Sequence, residues 1–233
     1  MLLDRLHRPV RGVRIVRREE GDPNPSFRVQ LIPLRMLATS DVERLKNQYQ
    51  DSPGPIVTSA LGPREQVPFL EAGFVPRESL YLLRHNLEGI RADQGRAKVR
   101  NARRTDLDSV LKIDRQGFDD FWAFDRDAIS HARKATPSHR YVVATIDRTV
   151  HGYAITGQAG KSGYLQRLGV AEQSRQQGIG GQLITDSLRW AQRAGAHEVL
   201  VNTQEINETA RRIYERHGFT LDTERLTVLE WVR

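Results

Sequence analysis

The chain has 233 residues, a formal net charge of +7 and no cysteine. The missing thiols exclude a disulfide framework, a thiolate metal site and a cysteine nucleophile. No apolar run of about 18 residues and no leader pattern points to a membrane span or to export, so the cytoplasm is the expected compartment and no membrane partner is expected. The length suits one and a half to two small domains. The basic excess is mostly arginine and suits either nucleic acid or a ribosome, or a basic surface that draws another polyanion. No run of five basic residues selects the first.

In chain order, residues 1–25 are basic, then acidic, then turn-like, with Val13, Ile15 and Val16 offering a strand. Phe27 to Leu34 alternates as a strand. Ser40-Asp41-Val42-Glu43 reads as a capping box that opens a helix through Tyr49. Pro53-Gly54-Pro55 breaks it, and Ile56 to Leu61 follows as a short strand. Arg64 to Ala72 reads as a helix closed by Gly73, and Ser79 to Leu83 as another strand. Asn86 to Lys98 is polar and punctuated by glycine, and residues 93–98 read as a linker. Val99 to Ala102 begins a new strand. Thr105 to Asp108 is a second capping box, from which Leu107, Val110, Leu111 and Asp114 carry a helix toward Gly117-Phe118. An aromatic and acidic loop runs from there to Asp125, which caps a helix through Lys134. Arg140–Ile146 and Val150–Thr156 form a hairpin turning at Asp147-Arg148-Thr149.

The segment from Tyr164 to Ile184 carries the chemistry. It opens as a strand through Val170 and closes as an amphipathic helix on Ile179, Leu183, Ile184, Leu188 and Ala191. Between them lies Gln173-Ser174-Arg175-Gln176-Gln177-Gly178-Ile179-Gly180-Gly181, a polar loop that feeds glycines into the first helical turn. Glycine lets the backbone approach a ligand, and a helix start offers unpaired N–H groups and the positive end of the dipole. Phosphate or pyrophosphate fits such a site, with Arg175 as a charge-assisted contact. It is neither a Walker loop nor G-x-G-x-x-G. Farther on, Val199 to Gln204 is a short buried strand. Asn207 is an N-cap, with Ile206, Ala210, Ile213, Tyr214 and His217 on one helical face and Gly218 as the C-terminal stop. Thr220 to Val232 reads as two short closing strands.

Arg-x-x-Gly-x-Gly followed at this distance by Asn-x-x-Ala-x-x-x-Tyr-x-x-x-Gly-Phe resembles the GNAT superfamily, the acyl-CoA-dependent N-acetyltransferases. The resemblance implies an α+β fold: a mostly antiparallel sheet flanked by helices, with two central parallel strands splayed to admit the pantetheine arm. It implies acetyl-CoA as cosubstrate, no metal, and direct attack of an amine on the thioester. Leu168, Gly169 and Val170 would bind the acetyl and pantetheine amide, and Gln176, Gln177, Gly178, Ile179, Gly180 and Gly181 the pyrophosphate. Asn207 would lie beside the pantetheine, and Tyr214 would be the general acid at the sulfur. Phe118, Asp119, Asp120 and Trp122 would line the acceptor site; Phe118 and Trp122 faintly resemble the ribosomal-protein alanine N-acetyltransferases. Where that class often carries a base glutamate, this chain has Asn202. Glu205 is out of register, which leaves water, Glu172, an aspartate of the aromatic loop, or no base at all. The acceptor stays open between a small amine and a peptide or protein N-terminus. A catalytically degenerate acyl-CoA binder or sensor is a further alternative.

The order strand–helix–Gly-Phe–strand occurs twice, with Gly73-Phe74 and Gly218-Phe219 145 positions apart. In the first copy Phe69 stands for Tyr214 and Gly62 for Asn207, and no phosphate loop precedes it. Residues 1–92 therefore read as a degenerate, structural half-repeat and residues 99–233 as the catalytic domain.

Overall fold

The computed structural model describes residues 10–17, 29–52, 54–91 and 95–232. Phe27, Arg28, Pro53 and most of residues 1–25, for which the sequence offers a strand start, a break and turns, lie outside them. Its first elements are β1 (Val13–Arg17), β2 (Val29–Pro33), α1 (Thr39–Tyr49), β3 (Ile56–Thr58), α2 (Pro63–Glu71) and β4 (Val75–His85). Next come β5 (Lys98–Asn101), α3 (Leu107–Gly117), α4 (Arg126–Lys134), β6 (Ser138–Ile146), β7 (Thr149–Ala159) and β8 (Ser162–Val170). The chain ends with α5 (Ile179–Arg193), β9 (Glu198–Gln204), α6 (Glu208–Arg216) and β10 (Thr220–Trp231).

Two compact units divide the chain: Met1–Tyr81 with Glu224–Arg233, and Leu82–Thr223. The sequence reading put the join at 93–98. Of these, residues 95–98 lie in the second unit, where the Gln182 side chain donates to the Gly95 and Ala97 carbonyls and accepts from Ala97 N–H. Lys98 already belongs to β5.

In the first unit β1 and β2 pair antiparallel, β2 and β3 parallel, and β3 and β10 antiparallel. Leu31, Val42, Leu45, Phe69, Phe74 and Leu229 share its apolar core. The closing segment is one strand, β10, where two were expected. The capping box at Ser40 is absent, because Ala38 occupies the N-cap and Asp41 is held instead by Arg35 and Arg44.

In the second unit β5 to β8 form an antiparallel meander, and β9 joins β8 in parallel. Alternation along β7 sorts the helices. Tyr153 and Ile155 join Val110 and Ile113 of α3 and Ile129 of α4 in one cluster. On the other face, a Cβ at Gly152 would touch Ile179 and Leu183 of α5, and Thr156 bonds Ser187. The second capping box sits earlier than read: Asp106 accepts from Arg103 N–H across a single 3-10 turn and from the Arg100 guanidinium at 2.7 and 2.8 Å. Asp125 caps α4 as expected, accepting from Ala128 N–H at 2.7 Å.

One local closure occurs in both units. Gly73 and Gly218 have φ of +86° and +90°, where glycine alone is unstrained. Phe74 N–H bonds the Phe69 carbonyl at 3.0 Å, and Phe219 N–H the Tyr214 carbonyl at 3.1 Å. The paired rings stand 5.3 and 5.5 Å apart.

Leu183 is fully buried, whereas Leu221 is largely exposed. Leu183→Ala should cost about 2–5 kcal/mol through lost transfer energy and the cavity left behind. Leu221→Ala should stay within about 0.5 kcal/mol. Urea unfolding of the two variants makes the comparison, and equal costs would contradict the assigned core.

Candidate functional site

A buried ion pair in the second unit joins residues far apart in sequence. Asp114, on the buried face of α3 and with no exposed surface, takes the Arg167 guanidinium through both oxygens at 2.7 and 2.8 Å. The Tyr153 hydroxyl donates to the same carboxylate, and Phe124 N–H reaches it at 2.6 Å. Burial pushes the Tyr153 phenol well above its ordinary range, so it remains a donor. Arg167 also donates to the Trp122 carbonyl at 2.8 Å, and its guanidinium lies 3.2 Å from the Phe118 ring centroid and 3.9 Å from that of Phe124.

Two backbone features make this possible. The β7–β8 register shifts between Ile155 and Thr156, leaving Gln166 as an extra residue, so Arg167 turns onto the α3 face. Gly169 leaves room for Tyr153, whose ring would stand 2.6 Å from a Cβ there. This clamp was missed in the sequence. Its one signal is a carboxylate on the apolar stripe of α3, since a buried charge needs a partner.

The clamp pins the aromatic loop. Asp119 turns inward on it, accepting from Phe121 and Trp122 N–H at 3.0 and 3.1 Å. Asp119 and Asp120 are exposed, and Phe118 and Trp122 are partly buried. Phe118 and Trp122 thus both meet Arg167, one by its ring and the other by its carbonyl.

Beside the clamp lies an open strand edge. β8 and β9 pair only from Ser162↔Glu198 to Tyr164↔Leu200 and then splay. Leu168, Gly169 and Val170 lie beyond the last pair, bonded to β7 on one side. Past the splay the chain makes a turn at Glu172–Ser174 and enters α5. Gln176 and Gly178 have φ of +62° and +78°. No N–H from Gln176 to Gly181 has a hydrogen-bond acceptor among the described residues; Gln182 is the first to reach back, to the Gly178 carbonyl at 3.1 Å. Arg175 donates to the Gln116 carbonyl at 2.8 Å and ties this loop to the end of α3.

Gly180 serves packing. A Cβ there would stand 2.8 Å from Ile213 Cδ1, so its absence lets α6 close on α5. That contact holds Tyr214, which follows Ile213 on α6. Tyr214 is 7% exposed, and burial pushes its phenol up to about 12, with the nearby Arg167 charge opposing. Its hydroxyl makes no hydrogen bond among the described residues, and the sealed, unpartnered polar side-chain atoms there are Tyr141 Oη and Gln166 Oε1. Asn207 caps α6, accepting from Ala210 N–H at 3.0 Å. Ile206, expected on the buried face, is 85% exposed because it precedes the cap. Asn202, Glu205 and Glu172 are exposed. No group of three metal-ligating side chains occurs among the described residues, and no helix is long and apolar enough to cross a membrane.

Asp114→Ala leaves a buried, unpaired guanidinium and should cost about 3–5 kcal/mol. An Asp114→Leu/Arg167→Met pair should regain most of it, measured by urea unfolding; a double variant as weak as the single would deny that the lost charge balance is the cause. Gly180→Val should lower the melting temperature and diminish the rise produced by saturating acetyl-CoA, because α6 is pushed from α5. Adding Ile213→Ala should restore both, and no relief from it would remove the packing explanation.

The chain is similar to known proteins. Residues 107–219 match the acetyltransferase (GNAT) family. An N-alpha-acetyltransferase of Sulfurisphaera tokodaii is 27% identical over 135 residues, which cover 52% of this chain and 79% of that protein. A GCN5-related N-acetyltransferase from Kribbella flavida superposes with a TM-score of 0.64 at 15% identity, covering 98% of this chain and 92% of the other. A tandem GNAT protein from the clavulanic acid biosynthesis pathway gives 0.68 at 10% identity, over 94% and 78%. With the splayed strands and the open helix start already in place, residues 107–219 form a domain of the GNAT family of acetyltransferases.

Proposed function

We propose that the chain is an acetyl-CoA-dependent N-acetyltransferase acting on a primary amine. The observation that carries this is the run of unbonded N–H groups from Gln176 to Gly181, next to a strand edge left open beyond Tyr164. Such an edge accepts an extended amide-bearing arm, and such a helix start accepts a pyrophosphate. The residues present therefore fit acetyl-CoA. When bound, it supplies a thioester carbonyl and a thiolate leaving group.

The chain's own groups divide the remaining work. Leu168 to Val170 offer main-chain bonds that orient the acyl arm. Tyr214 holds a proton for the leaving sulfur, and its raised pKa keeps it loaded. Phe118 and Trp122, fixed by Arg167, wall the acceptor side, and Asp119 and Asp120 favour a cationic amine. The name of the Sulfurisphaera relative favours the α-amine of a peptide as acceptor. The first unit, with Phe69 at the place of Tyr214, reads as a degenerate structural half-repeat. An acceptor screen with labelled acetyl-CoA, spanning peptides of varied first residue, polyamines and aminoglycosides, tests the proposal. Turnover with none of them, despite cofactor binding, would leave an acyl-CoA sensor.

Tyr214→Phe should lower kcat by roughly 10²–10⁴ while cofactor affinity and melting temperature scarcely change. Near wild-type turnover would reduce Tyr214 to packing. Because its folded pKa is raised to about 12, no alkaline loss of rate should come from Tyr214 until the pH nears that value. The fold binds this proton more tightly than the unfolded chain does. Its contribution to stability is thus full below about pH 10 and is lost as pH rises toward about 12.

A further inference from the structure

Away from this site, the second unit carries a cavity of about 360 Å³ at the edge of its sheet. It lies where β6 runs on past the end of β5, since Asn101 pairs with Val142 and the start of β6 has no β5 partner. Asn101, Arg133 of α4, His139 to Tyr141 of β6, and Trp190 of α5 form its walls. The volume falls within the roughly 300–1,000 Å³ of small-molecule sites.

The charges in these walls are unequal. Arg140 is neutralised, donating to both oxygens of Asp186 at 2.6 and 2.9 Å and to Asn101 Oδ1 at 3.3 Å. Arg133 is not: its guanidinium lies 5.4 Å over the Tyr141 ring, and it makes no ion pair among the described residues. Burial first, and then the adjoining Arg133 charge, hold His139 below the ordinary imidazole range. Trp190 is half-buried, and its indole N–H makes no hydrogen bond among the described residues. Arg189 and Arg193 flank it on α5, both exposed and in no ion pair among the described residues.

An open indole face beside cations that lack an anion suits a planar ring joined to a phosphate. Aromatic side chains stack bases of any identity, and arginine and histidine hold phosphate oxygens. A lipid surface would want exposed apolar side chains here, and these walls are polar. We propose that this cavity binds a nucleoside phosphate, its base on Trp190 and its phosphate against Arg133 and His139. Free nucleotide and a unit of single-stranded RNA share that chemistry.

The test is calorimetric titration of the full chain with UMP, AMP and an oligo(U) RNA of about eight nucleotides. Saturating CoA is present throughout, so that any nucleotide affinity of the cofactor site is masked. Binding should persist, and Arg133→Glu and Trp190→Ala should each weaken it by roughly 5–100-fold. Arg64→Glu, an exposed change on α2, should leave it intact. Similar affinity for UMP and RNA would identify free nucleotide as the ligand; tighter RNA binding that falls with salt would identify the strand. Trp190→Phe, which keeps a ring, should retain binding and guards against a Trp190→Ala variant that fails to fold. No binding of any probe, loss of binding under CoA, or equal weakening by Arg64→Glu would overturn the assignment.

Discussion

Asp114 is a full charge buried on an apolar helix face, and the architecture of the second unit answers it. A carboxylate with no solvent around it must be matched by donors, or its desolvation penalty goes unpaid. Four donors meet it, drawn from β8, β7 and the aromatic loop: two from Arg167, one from Tyr153 and one from Phe124 N–H. Each requirement propagates. Arg167 reaches the α3 face only because of the bulge at Gln166, and Tyr153 fits only because residue 169 is glycine. Such a buried pair adds little net stability against an apolar replacement. What it fixes is position: β8, α3 and the loop from Phe118 to Phe124 are locked together.

The second constraint is what the fold leaves unbonded. Backbone N–H and C=O groups are nearly always satisfied, so a strand edge open past Tyr164 and a helix start with free donors stand out. Both lie on one continuous stretch of chain, β8 into α5. The glycines there divide the labour. Gly178 takes the left-handed turn that aims the N–H groups, while Gly180 clears space for Ile213 and so brings α6 in. Tyr214, next to Ile213, is held in place by that helix–helix contact.

Much of this was legible in local pattern. The strand and helix on either side of the glycine loop, the caps at Asp125 and Asn207 and the stop at Gly218 all follow from short-range chemistry. What failed was local pattern overridden by distant partners. Asp41 and Asp106 sit in good capping sequences, yet arginines claim the first and an earlier turn uses the second. The Asp114–Arg167 clamp spans 53 residues, and no window of sequence contains both ends. Ile206 fits the apolar period but lies before the cap, where the helix has not begun.

The repeated closure shows how little separates a structural motif from a chemical one. Phe69 and Tyr214 occupy the same place in the same hydrogen-bonded turn, each ring against the phenylalanine that follows its glycine. Phe69 is 1% exposed within an apolar core, and its side chain can neither donate nor accept. Tyr214 is nearly as buried, but it adds one hydroxyl that no neighbour satisfies, close enough to Arg167 to feel its charge. That hydroxyl is not among the sealed unpartnered atoms, so it stays within reach of solvent. In the first unit the motif closes a core with an apolar ring; in the second the same motif carries a hydroxyl.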